Sequence, residues 1–130
     1  MRRIGLMVAS VLLLAGAGAV WAHEGHEEQE EAMAPGEQEL VGEVVDVNCY
    51  LSHGKEGLGA GHADCAKKCI KNGLPVAIKV GDKLYLATMA DHTSANKALA
   101  QYAGQQIEVH GKVLEGDGQR LVAISAIEAR

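Results

Sequence analysis

Apolar and polar positions fall into three regimes along the chain. Residues 4–20, "IGLMVASVLLLAGAGAV", form an unbroken apolar run, and residues 23–39, "HEGHEEQEEAMAPGEQE", are almost wholly polar and acidic. From Leu40 the pattern becomes short and alternating. "LVGEVVDVN" is rich in Val with period-two spacing, which predicts a strand. "PVAIKV" and "KLYLATM" flank Gly81-Asp82, the signature of a two-residue hairpin turn with Gly first. "QIEVHGKVLE" and "QRLVAISAIEA" flank "GDG" and predict a second hairpin. Between these pairs, "ANKALAQYA" carries Leu99, Tyr102 and Ala103 at helical spacing, with Thr93 or Ser94 as the expected cap and Gly104 as the stop. A second short helix is expected to end near Asn72-Gly73, before Pro75 forbids its continuation.

The predicted order is strand, loop and helix, strand, strand, helix, strand, strand. Five strands with a helix between the third and fourth is the order of the OB-fold, a small Greek-key barrel. The expected fold is therefore mainly β with two short helices: a five-stranded OB-fold-like barrel over 40–130, with a loop-helix insertion at 49–73 between strands one and two. An α+β sandwich built from the same elements is the competing arrangement. In the barrel reading the insertion occupies one of the loops through which OB-folds bind ligands.

Composition sharpens the first two regimes. Arg2 and Arg3 precede the apolar run, and Val20 and Ala22 place small residues at a cleavage site, so residues 1–22 read as an export signal. An uncleaved anchor would be of about minimal spanning length. Residues 23–39 then form an acidic leader too poor in apolar side chains to pack. The expected location is periplasmic or secreted, with no membrane attachment once the signal is removed. Of the 12 basic residues two lie in the signal, so 10 remain against 17 acids, a net charge near −7. That balance excludes a nucleic-acid backbone as partner, since such binding rests on Lys and Arg neutralising phosphates. The absence of Phe agrees, because few rings are available for base stacking.

Export also bears on the thiols. Cys49, Cys65 and Cys69 are the chain's three cysteines, an odd number for a compartment in which cysteines tend to pair. They lie in "CYLSHGKEGLGAGHADCAKKC" together with His53 and His62, spaced C-x3-H-x8-H-x2-C-x3-C. With a helix beginning near His62, the 100° advance per residue puts Cys65 at 300° and Cys69 at 340°, on one edge with His62. Lys67, Lys68 and Lys71 fall on the opposite side. Cys49, leaving the first strand, and His53, in the loop, can close over this edge. Thiolate and imidazole donors suit Zn(II) or Cu(I). The expected ligands are Cys49, Cys65 and Cys69, with His62 as fourth and His53 as alternate. No C-x2-C pair is present, so the spacing matches no standard finger, thioredoxin-like or haem motif.

Two other readings stay open. Cys49 can bond Cys65 or Cys69 in a disulfide that ties the inserted helix to the first strand, which leaves both histidines without a role. Alternatively, one cysteine is a reactive thiol in a redox protein. "GKEGLGAG" fits neither a P-loop nor a dinucleotide fingerprint and reads as a hinge. His23 and His26, at the expected mature terminus, form a secondary candidate pair for a metal through imidazole and a free amine. His92 and His110 carry no motif. No G-x-S-x-G or H-E-x-x-H occurs, and no catalytic set can be named.

"VHGKV" in the fourth strand and the passage "CYLSH…GHADCAKKCI…G.PV" resemble small secreted bacterial OB-fold proteins of undefined function. The resemblance spans about residues 40–130 and implies a fold, not an activity. The expectation is a non-catalytic exported metal-binding protein whose partners are the metal ion and a periplasmic protein.

Overall fold

The computed structural model describes residues 36–130. The expected export signal, most of the expected acidic leader, His23 and His26 lie outside the described residues. β1 spans Glu37–Asp46, three residues earlier than its hydrophobic pattern indicates. Glu37–Glu39 bury nothing large. They extend the strand because Lys112, Gly111 and His110 on the neighbouring strand continue the ladder, with Glu37 facing Lys112 and Glu39 facing His110.

After β1 come α1 (Val47–His53), a 3-10 turn (Gly54–Gly57) and α2 (Ala63–Lys71). β2 (Val76–Val80) and β3 (Lys83–Met89) follow as a hairpin, then α3 (Asn96–Leu99) with a 3-10 continuation (Ala100–Tyr102), and finally β4 (Gln106–Gly116) and β5 (Gln119–Ala129). The described residues are mainly β, with three short α-helices rather than the two expected. The strands close into a barrel in the order β1-β2-β3-β5-β4. All neighbours are antiparallel except β3 and β5, whose parallel pairing closes the ring. This strand order is consistent with the expected OB-fold-like barrel and not with a two-sheet sandwich. Closure leaves no open edge among the five described strands to template pairing with another chain.

Both hairpin turns follow from backbone chemistry. Gly81 has φ of 57° and Val80 pairs with Lys83, a two-residue turn with Gly first, as its sequence requires. At the second hairpin Gly116 pairs with Gln119, so Asp117 and Gly118, both at positive φ, form the turn and Gly116 belongs to the strand. A register shift at His110/Gly111 marks a bulge, where the glycine backbone packs against Ala123 with no room for a Cβ.

The core is aliphatic. Val44, Ile78, Ile107, Val109, Val122 and Ile124 fill the barrel, each at most 0% exposed, and Leu99 and Ile70 seal it from the two ends of the helical layer. With no Phe to fill space, β-branched side chains on alternating positions do so, and Tyr85 is the one buried aromatic ring among the described residues.

Candidate metal centre

The segment between β1 and β2 is built from two helices that meet at their cysteines. β1 ends at Asp46, whose side chain caps α1: its Oδ1 accepts the Cys49 N–H at 2.7 Å. α1 stops at Gly54, at φ 61°, whose N–H donates to the Tyr50 carbonyl. Cys49 therefore sits on the first turn of a helix, not on the exit of a strand, and His53 is the last residue of that helix, not a loop residue. The helical signal was present as an Asp cap and a Gly stop eight residues apart. The run of valines into Val47 masked it.

α2 agrees with the expected helix at both ends. His62 precedes it, and Asn72 and Gly73 close it, with Gly73 N–H donating to the Ile70 carbonyl and Leu74 N–H to that of Cys69. Ala66 and Ile70 face the barrel. On the helical wheel they stand at 40° and 80° from His62, so the cysteine edge at 300–340° borders the buried stripe. That border explains why Cys69, nearer the stripe, is half-buried and Cys65 exposed; Cys49, on α1, is buried.

Three contacts outside the segment hold the helices in place. Asn96, the first residue of α3, donates from Nδ2 to the carbonyls of Ile70 and Leu74, each at 2.7 Å, tying α3 to the end of α2. Glu43 on β1 accepts the Gly59 N–H at 2.5 Å. Gly104, at φ 74°, lies so close to the loop that a Cβ there would stand 2.7 Å from the Gly59 carbonyl oxygen. Gly57 likewise packs its bare backbone against Cys49 and Tyr50. Within 54–61 Gly57 is a contact point of this kind, whereas Gly54 and Gly59 serve the loop through their positive φ.

The result is a cluster. The Sγ atoms of Cys49, Cys65 and Cys69 all lie within 4.8 Å of one another. Cys49 and Cys69 are 3.9 Å apart, and all three are free thiols, so no disulfide staples the segment. The Asp46 carboxylate beside it, then burial, push the Cys49 thiol well above its ordinary range; burial first pushes Cys69 upward too. Without a metal, then, these two groups favour the protonated form. A cation that displaces the protons reverses that preference.

The histidines stand differently. Neither His62 nor His53 belongs to the group that meets the 4.8 Å distance. Their rings tilt against each other with centroids 6.1 Å apart. The Nε2 of His62 is buried and without a hydrogen-bond partner. His92 adopts φ of 67° in the turn before α3. His110 lies on the barrel wall between Glu108 and Glu128, its Nε2 at 3.4 Å and 3.7 Å from their carboxylates. Those three side chains also come within 4.8 Å of one another, but Arg130 already holds Glu108 with bonds of 2.6 Å and 3.0 Å. The group reads as an ion-pair network across β4 and β5. Sequence reasoning missed Asp46, the buried acid beneath the cysteines; its position three residues before Cys49 was the available signal.

Fold and site together define a small closed β-barrel with a three-thiol cluster on the helical connection between its first two strands. Comparison with protein-family models, with curated proteins and with solved structures found no match for this chain. No helix among the described residues is long and apolar enough to cross a membrane.

Proposed function

We propose that this is an exported, non-catalytic metal-binding protein of OB-fold-like architecture, with Cys49, Cys65 and Cys69 as thiolate ligands to Zn(II) or Cu(I). The observation that carries the reading is the convergence of three free thiols from two helices within 4.8 Å. Thiolates are the preferred donors of both ions. His62 is the favoured fourth ligand of a Zn(II) site, since its Nε2 is buried and unpartnered and it stands three residues before Cys65 at the start of α2, and His53 is the alternate. Export rests on the apolar run and cleavage pattern of residues 1–22, and a periplasmic partner would meet the exposed Cys65 side of the site.

Metal analysis with thiol counting on protein purified from the periplasm tests this directly. One equivalent of metal, with three titratable thiols after chelation, is the expected result, and Ser at any one of the three cysteines should lower retention of the metal. One disulfide, one free thiol and no metal would instead establish a stapled or redox-active domain.

A further inference from the structure

Asp46 is the one buried charged residue among those described, 0% exposed. Its Oδ1 is used by the Cys49 N–H, while Oδ2 is buried with no hydrogen-bond partner. The ion pairs of the described residues lie elsewhere, on His110, Arg120 and Arg130, and none reaches Asp46. A carboxylate withdrawn from water in this way is costly unless a positive charge compensates it. Capping does not require that charge, because Asn and Ser cap helices about as well as Asp. The lysines of α2 form no ion pair with it either: Lys68 and Lys71 are exposed, and the half-buried Lys67 takes part in none of the ion pairs of the described residues.

What lies beside Asp46 is the thiol cluster, and its negative field bears on both Cys49 and Cys69. Three thiolates and this carboxylate sum to four negative charges. A monovalent ion leaves three of them uncompensated, a divalent ion two. In a partly buried site each uncompensated charge weighs heavily, so the carboxylate penalises the monovalent complex more than the divalent one.

Resting on the reading of the three cysteines as metal ligands, we propose that Asp46 is a specificity-determining residue. It positions Cys49 through the α1 cap and biases the cluster toward a divalent thiophilic cation, Zn(II), over Cu(I). It acts from behind the ligands: its oxygens are not part of the donor group defined by the 4.8 Å distance.

The test titrates the reduced, metal-free protein with Zn(II) and, separately, with Cu(I), each against a competing chelator, for the wild type, Asp46→Asn and Asp46→Ser. Both variants keep a capping oxygen and lose the charge. The expected result is a Zn(II)-to-Cu(I) affinity ratio about 10–100-fold lower in both variants, as one unit of charge a few ångströms away implies at an effective dielectric of about 20, chiefly through a higher Cu(I) affinity. An equal fall for both ions would show a merely structural role and overturn the proposal. So would an unchanged ratio of the two affinities, or failure of both variants to fold in excess Zn(II) by circular dichroism. Wild-type protein that binds neither ion through its thiols removes the metal reading itself, a result seen before any Asp46 variant is measured.

Discussion

Cys49 shows how much a single side chain's surroundings matter here. Asp46 and burial raise its thiol above the ordinary value of 9.0, and Cys69 is raised as well. A raised pKa means that the folded state binds these protons more tightly than the unfolded chain does. The stability this contributes is fully present below about pH 9 and is lost as pH rises beyond the unfolded value. The metal-free, reduced protein is therefore expected to show a lower urea midpoint at pH 10 than at pH 7.5. Cys49→Ala should flatten that difference. Bound metal should flatten it too, because the thiols are then already deprotonated. Urea curves for the three species at both pH values check this. The residue pattern told which side chains to watch, since all three cysteines and two histidines were visible in one 21-residue stretch. It did not reveal that Asp46, nominally part of a strand, controls one of them.

Between elements, the site depends on contacts that are far apart in sequence. Asn96 bonds two carbonyls at the end of α2, 22 and 26 residues earlier. Asn96→Ala leaves both without that partner. At about 0.5–1.5 kcal/mol for each hydrogen bond, the loss should total about 1–3 kcal/mol in denaturant unfolding, with metal released faster from the loosened helix. Gly104→Ala acts on the other side of the loop. A non-glycine residue at positive φ costs on the order of 1–3 kcal/mol, and the added methyl would also meet Gly59 and Ala63. The expected outcome is a destabilised fold whose 59–63 loop is displaced, read by amide exchange of Gly59 and by metal affinity. The helix 63–71 was legible because its wheel, cap and Gly73 stop agree with one another. α1 was not, since Val47 continues a strand-like pattern and only the Asp46 cap contradicts it.

For the whole molecule, the 47–71 segment is anchored to the barrel through Ala66 and Ile70, and a metal bridging Cys49 of α1 to the cysteines of α2 should act as a further staple. A ligand that binds only the folded state at 100 times its dissociation constant adds about 2.7 kcal/mol. Zn(II) at that excess is expected to raise the thermal midpoint measurably, and a chelator should return it to the metal-free value. Triple replacement of the cysteines by Ser should abolish the shift while the barrel's strand signature in circular dichroism persists. By itself the sequence determined the five strands, the two hairpin turns, α2 with its two cysteines on one edge, and the donor types on offer. Those are local matters of periodicity, turn chemistry and helical phase. Tertiary structure alone decided which strands meet to close the ring, that Cys49 joins Cys65 and Cys69 while the rings of His53 and His62 meet each other, and that Asp46 is buried with no ion-pair partner among the described residues. Each of these depends on distances between residues far apart along the chain, and neither periodicity nor propensity encodes such distances.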